Sequence, residues 1–291
     1  MTETKFQTQW QEAVSKKNSV LCAGLDPAEF AMGRGDKGLP EGVDKGKWAI
    51  SYIEAVAPYC AAVKPNFRYW EADGDVTVLK DIYTMAHELG MVLIDDAKLA
   101  DIGSTNEAGV FYSAQRADAV TFVPFPGNMQ EAAEQGKKWG IGVIPMCLMS
   151  NPEYAAEKNK LVEGGEDSFQ RPDLIRLGDR SYVRQYVQLA QSAGFHGLDA
   201  LVIGAPSAKN HIQEREIETV RRYVGDSMLV LLPGVGAQGG EADAIWKYFD
   251  KDNVIVNNGR AMMFPNGAES TPKQQAAAAQ QYKGMLNTLR A

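Results

Sequence analysis

Eight short apolar, β-rich runs alternate with amphipathic stretches, and no linker of biased composition separates them. This pattern predicts an α/β protein: a single (β/α)8 TIM barrel with an additional N-terminal helix, residues 1–291 forming one domain. Length alone would also suit two small domains. The unbroken βα repeat decides for one closed barrel.

An opening helix is expected near 3–16, ahead of the first run, Ser19-Val-Leu-Cys-Ala-Gly-Leu25. Further runs of strand character follow at Ala61-Ala-Val-Lys64, Met91-Val-Leu-Ile-Asp95 and Ala119-Val-Thr-Phe-Val123. The second half adds Ile141-Gly-Val-Ile-Pro-Met146, Ala200-Leu-Val-Ile203, Met228-Leu-Val-Leu-Leu232 and Val254-Ile-Val256. Helical periodicity falls between them, near 44–58, 75–89, 105–115, 128–138, 181–193, 210–223 and 240–249, with a last helix near 271–289 rich in alanine and glutamine. Two stretches are long for plain connections. Residues 26–43 (Gly33, Gly35, Gly38 and Gly42) follow the first strand, and residues 150–180 (with Gly164 and Gly165) follow the fifth. Both lie at C-terminal strand ends, where barrel enzymes build sites and lids.

The formal net charge is -7, with 45% hydrophobic and 23% charged residues. Such a balance suits a globular core and argues against a nucleic-acid partner, because no broad basic field is available. An anionic small molecule needs only a few cations and backbone donors. Membrane association is not expected: no apolar run approaches the roughly 20 residues of a spanning helix. The N-terminus lacks the apolar core of a signal peptide. Cys22, Cys60 and Cys147 form no CxxC pair, and a reducing, cytoplasmic setting is the simplest expectation. His87, His196 and His211 are far apart, without zinc-ligand spacing, so no metal site is expected.

Pro233-Gly234-Val-Gly236-Ala-Gln238-Gly239-Gly240 has GxGxxG spacing between a strand and a helix. A dinucleotide fingerprint would sit early in its fold, with an acidic residue about 20 positions on. This loop follows the seventh strand, and the next strand runs into Asn257-Asn258. NAD is therefore not expected. The loops after strands seven and eight of a barrel commonly bind phosphate through backbone N–H groups. Gln238 could add a neutral donor, and Arg260, after Gly259, a bidentate cation. The alternative is a glycine-rich turn beside a solvated arginine.

The most unusual segment is Leu93-Ile-Asp95-Asp96-Ala97-Lys98-Leu-Ala-Asp101-Ile102. Charges at the end of an apolar strand are costly when buried without partners. Strand alternation puts Asp96 and Lys98 on one face and Asp95 on the other, toward the helical shell. Asp101 lies beyond the strand and could reach further, into a neighbouring subunit. Lys64, ending the second run, would stand beside Asp96 on the adjacent strand. The order Lys64, Asp96, Lys98, Asp101 alternates in sign, and each unlike pair at about 4 Å contributes roughly 4 kcal/mol of Coulomb energy before desolvation. Such an array can hold Lys98 protonated as a general acid. The bland alternative is a charged strand end in water.

At these residues the sequence resembles the orotidine 5′-phosphate decarboxylase family. Its DxKxxDI…T signature reads Asp96-Ala-Lys98-Leu-Ala-Asp101-Ile102-Gly-Ser-Thr105. The strand-one aspartate matches Asp26 in Gly24-Leu25-Asp26-Pro27, the strand-two lysine Lys64, and the pyrimidine-binding serine Ser150. The phosphate-binding set matches Gln238, Gly259 and Arg260. The motifs run from 24 to 260 in family order. Two departures stand out: Asn257-Asn258 where apolar residues are expected, and a long insertion after Ser150. Single positions also have ordinary readings. Asp26 could open a turn before Pro27, Ser150 could cap a helix at Asn151-Pro152-Glu153, and Thr105 could be an N-cap.

The resemblance implies a catalytic barrel that converts orotidine 5′-phosphate to uridine 5′-phosphate and carbon dioxide, the last step of de novo pyrimidine synthesis, with no cofactor. Asp96 would lie beside the substrate carboxylate, and Lys98 would stabilise and protonate the C6 carbanion. Lys64 and Asp26 would hold the ribose, and Gln238 and Arg260 the phosphate. It also implies a homodimer with shared sites, in which Asp101 and Thr105 serve the partner's site. The alternative is a metal-dependent phosphosugar decarboxylase or hexulose-phosphate synthase on the same barrel. Those relatives share DxKxxD but place a magnesium-binding glutamate where this chain has Lys64. A non-catalytic phosphosugar-binding barrel would need only the glycine loop and Arg260, leaving Asp96 and Lys98 without a purpose.

Overall fold

The computed structural model describes residues 4–72, 74–165, 169–235 and 242–291. Helix α1 (Lys5–Lys17) begins with a reciprocal cap: the Thr4 side chain accepts from Gln7 N–H, and the Gln7 side chain accepts from Thr4 N–H. It stops at Asn18, in the left-handed conformation. Its side chains meet the starts of several strands. The Gln7 amide donates to the carbonyls of Asp199 (3.2 Å) and Ser227 (2.8 Å), and Trp10 Nε1 to that of Asp252 (2.7 Å). A β-carbon at Gly142 would fall 2.6 Å from the Phe6 ring. The extra helix therefore closes the N-terminal end of the barrel, opposite the end where sites form.

Each predicted run is a strand: β1 (Leu21–Leu25), β2 (Ala62–Pro65), β3 (Val92–Leu99), β4 (Ala119–Phe122), β5 (Gly142–Leu148), β9 (Ala200–Ile203), β10 (Leu229–Pro233) and β11 (Val254–Asn258). All pair in parallel and close in the order β1-β11-β10-β9-β5-β4-β3-β2. Their residues are almost all buried, since helices cover one face and the barrel interior the other. That two-sided burial is why the runs read as continuous apolar stretches rather than as alternation.

Helices α2 (Lys45–Val56), α3 (Asp75–Glu88), α4 (Gly103–Ala114) and α5 (Met129–Trp139) follow the first four strands. The long stretch after β5 is more ordered than a plain connection. It holds a short helix α6 (Tyr154–Glu157) and strands β6 (Leu161–Glu163), β7 (Ile175–Leu177) and β8 (Arg180–Arg184), which form an antiparallel sheet in the order β6-β8-β7. The helix expected at 181–193 therefore starts later, as α7 (Gln185–Phe195), because its first residues pair in this sheet. The insertion is pinned by Lys158, whose buried ammonium lies 2.7 Å from Glu216 and donates to the His211 carbonyl. Glu216 in turn accepts from Gln213 N–H at the start of α8 (Glu214–Tyr223), four residues later than the periodicity placed it. The helix expected at 240–249 is, within the described residues, a 3-10 turn at Asp243–Lys247. Helices α9 (Arg260–Met263) and α10 (Pro272–Leu289) complete the chain. Among the described residues no helix is long and apolar enough to cross a membrane.

Asp95 faces the helical shell, as strand alternation requires. It is fully buried and accepts from Ser113 Oγ (2.8 Å) and Arg116 Nη2 (2.7 Å), while the guanidinium lies over the rings of Phe67 and Tyr83. Removing one partner of a buried pair strands the other charge. Arg116→Met is therefore expected to lower unfolding free energy by about 3 kcal/mol, seen as a shifted denaturant midpoint at unchanged m-value.

Candidate active site

Two neighbouring strands deliver the charged array to the C-terminal end of the barrel. Lys64, near the end of β2, and Asp96, in β3, are 6% and 5% exposed. One oxygen of the Asp96 carboxylate, Oδ2, is in direct contact with the Lys64 ammonium. The other, Oδ1, lies 2.7 Å from Lys98 Nζ, whose side chain is 43% exposed and so reaches open space. Each carboxylate oxygen thus faces its own ammonium. Asp96 and Lys98 meet, but not by plain strand alternation. Asp95 pairs with Val120 and Leu99 with Phe122, so three residues of β3 stand opposite Thr121 alone. Lys98 has φ 50°, in the left-handed region that L-residues other than asparagine and aspartate seldom adopt.

The electrostatics follow from this crowding. Burial alone would raise the Asp96 carboxyl, but Lys64 and Lys98 more than reverse that and hold it well below the ordinary carboxylate range. Burial likewise opposes the Lys64 charge, and Asp96 and Asp26 overcome it, leaving the ammonium above its ordinary value. Beneath the array, burial pushes the Cys22 thiol up to about 12, so it stays protonated.

Asp26 follows β1 at the same mouth. Burial pushes its carboxyl above the ordinary range, against the pull of Lys64, Lys98 and Arg260. Its Oδ1 is buried without a hydrogen-bond partner among the described residues. Its carbonyl accepts from Ala28 N–H at 2.9 Å, so it also opens a tight turn. The backbones of β1 and the turn after β11 touch here: a β-carbon at Gly24 would fall 2.8 Å from Gly259 Cα. Asn257 and Asn258 complete β11, and Asn257 Oδ1 would lie 3.4 Å from that same β-carbon.

Four of the other expected residues, Asp101, Thr105, Ser150 and Arg260, follow the C-terminal ends of β3, β5 and β11. Arg260 is the exposed first residue of α9, after Gly259. Ser150 lies two residues past β5 against Gly204, where a β-carbon would come within 2.8 Å of Ser150 Cβ. It does not cap α6, whose N-cap is Glu153. Thr105 is exposed in the first turn of α4, and the N-cap there is Ile102, so the capping alternative fails for both. Asp101 is exposed and makes no ion pair with another described residue. Its Oδ1 accepts from Ile102 N–H, and its carbonyl from Asn128. Gln238 and the rest of the glycine loop at 236–240 lie outside the described residues. The array includes a buried polar residue that the sequence does not announce: Thr121, whose hydroxyl contacts Asp96 Oδ1 and the Lys98 N–H. A threonine inside an apolar run reads simply as a strand former, so nothing marked it.

A closed parallel barrel with a buried carboxylate clamped between two ammonium groups at its C-terminal mouth defines the class, a barrel enzyme with a preorganised charge array. The family model described as Orotidine 5′-phosphate decarboxylase / HUMPS family matches residues 19–263, and the chain belongs to that family. An orotidine 5′-phosphate decarboxylase of Bordetella avium is 30% identical over 295 residues, covering 98% of this chain and 99% of that protein. One from Azoarcus sp. is 30% identical over 294 residues with the same coverage. Among solved structures, the Leishmania donovani OMP decarboxylase superposes with a TM-score of 0.70 at 22% identity, covering 98% of each chain. The Plasmodium berghei orotidine 5′-monophosphate decarboxylase gives 0.71 at 16% identity, covering 98% of this chain and 99% of that one.

Proposed function

We propose that this chain, acting over residues 1–291 as one catalytic barrel, decarboxylates orotidine 5′-phosphate to uridine 5′-phosphate without a cofactor, the closing step of de novo pyrimidine synthesis. The observation that carries the reading is Asp96 held ionised between Lys64 and Lys98. The substrate carboxylate sits beside Asp96, and like-charge repulsion disfavours it there. The C6–carboxylate bond breaks with its electron pair left on C6. Lys98 faces that developing charge, stabilises it, and gives it a proton; the amine then regains one from solvent. A unit charge at about 4 Å contributes roughly 4 kcal/mol at the effective dielectric of such a site.

Asp26, whose Oδ1 has no hydrogen-bond partner among the described residues, and Lys64 hold the ribose hydroxyls. Ser150 meets the pyrimidine. Gly259, Arg260 and Gln238 take the phosphate, whose remote binding energy is spent on orienting the base. Asp101 and Thr105 serve the site of a second subunit in a homodimer. Their exposure, with Ile102 between them 60% exposed and Phe125 on the next loop 89% exposed, supports a face that a partner covers. The setting is the cytoplasm.

A metal-dependent reaction on the same barrel is disfavoured by Lys64, whose buried ammonium occupies Asp96 Oδ2 and repels a cation. The test is the ultraviolet absorbance change when purified protein meets orotidine 5′-phosphate, with and without a chelator. Turnover at equal rates in both is the expected result. Absence of turnover, or loss under chelation restored by magnesium, would overturn the reading.

A further inference from the structure

We infer that Thr121 is a positioning residue for the proton donor: its hydroxyl locks the bulge in β3 that aims Lys98 at the site. This rests on the role proposed for Lys98 and adds a residue to it. Thr121 is fully buried. Its Oγ1 accepts from Lys98 N–H at 3.0 Å and lies 2.9 Å from Asp96 Oδ1.

The direction of this relay is forced. A backbone N–H can only donate, so the threonine oxygen receives from Lys98 and its own single proton turns to Asp96. Asp96 must then be the acceptor, which agrees with its ionised state between two ammonium groups. One hydroxyl thus ties together the backbone of Lys98 and the oxygen of Asp96 to which the Lys98 ammonium is paired.

The bulge gives that tie a purpose. Asp96, Ala97 and Lys98 stand opposite Thr121 alone, so their backbone lacks a regular ladder at this point. Lys98 is one of two non-glycine residues with positive φ among those described, the other being Asn18 at the end of α1. Asparagine adopts this conformation readily, whereas a lysine has no side-chain device for it. Such a conformation persists where surrounding contacts over-determine it, and the Thr121 hydroxyl supplies one from the neighbouring strand. Valine would fill the same space and suit a strand equally well, so shape and β-propensity do not call for the oxygen.

The experiment compares Thr121→Val, Thr121→Ala and Thr121→Ser with wild type, reading kcat and KM for orotidine 5′-phosphate alongside thermal melting. Thr121→Val is expected to lower kcat by about 10- to 100-fold while KM moves less than about threefold, since a small misplacement of a reacting group costs that much without weakening substrate binding. Thr121→Ser, which keeps the hydroxyl, should recover to within about threefold of wild type. Serine and alanine at this position differ only in the oxygen, so that pair carries the comparison even where the valine variant folds poorly. Wild-type kcat in Thr121→Val or Thr121→Ala, or an equal loss in Thr121→Ser and Thr121→Ala, would overturn the inference. So would a loss confined to KM. Failure of the wild-type protein to turn over would instead strike the proposed function itself.

Discussion

Lys98→Ala is expected to lower kcat/KM for orotidine 5′-phosphate by about 10,000-fold or more, because in the proposed reaction one side chain supplies two effects. Removing a preorganised group that faces developing charge costs about 100- to 1,000-fold, and removing a positioned general acid about 100- to 10,000-fold. The two act at one carbon in one step, so neither survives alone. The fold should tolerate the change. The Lys98 side chain is 43% exposed, and Asp96 keeps Lys64 on Oδ2 and Thr121 on Oδ1. Alanine at φ 50° is no more strained than lysine there, since the clash involves only Cβ and backbone. Steady-state kinetics by ultraviolet absorbance, with a melting curve as control, give the answer. A folded variant working within about tenfold of wild type would remove Lys98 from the chemistry.

How much of this was legible without coordinates depends on the scale of the feature. The eight strands were, because two-sided burial demands apolar runs and the helices between them must be amphipathic. The positions of Asp96 and Lys64 were legible for a related reason: charge at the end of such a run is expensive, and adjacent strands bring such positions together. The bulge was not. Ala97-Lys98 contains neither glycine nor asparagine, the residues that ordinarily announce positive φ, so only the register between β3 and β4 reveals it. Alternation reached the right pairing of Asp96 with Lys98 while missing the route.

Thr121 was hidden by its own suitability for a strand. The small sheet at β6-β8-β7 was hidden differently. Its strands are three to five residues long and mostly exposed, so they lack the apolar signature of the barrel strands, and Arg180–Arg184 merged into the helical pattern after it. Ser150 and Thr105 had capping readings as good as their functional ones. Capping was eliminated because Glu153 and Ile102 hold those positions, a matter of one turn of backbone that residue type does not specify.

Asp96→Asn measures what the array contributes to stability, and should destabilise the fold by about 3–5 kcal/mol near neutral pH. Asparagine matches aspartate in shape but offers a single oxygen, whereas two ammonium groups approach from opposite sides. Whichever way the amide turns, one lysine faces an N–H donor. Lys98 can swing into solvent, but Lys64, 6% exposed, cannot, and among the described residues keeps Asp26 alone as a nearby carboxylate. The pH dependence identifies the source of the loss. In the folded state the lysines outweigh burial and depress the Asp96 carboxyl below its unfolded value of about 4. A depressed carboxyl binds protons less tightly when folded, so its stabilisation is complete above the unfolded value and drains away as pH falls toward the folded one. The difference in unfolding free energy between wild type and variant should therefore be flat from neutral pH down to about pH 5, then narrow on further acidification as the wild-type carboxyl itself becomes neutral. Denaturant titrations across that range measure it. A gap that widens in acid would mean that Asp96 is not the ionised centre of the array, and the placement of charge around the reacting carbon would fall with it.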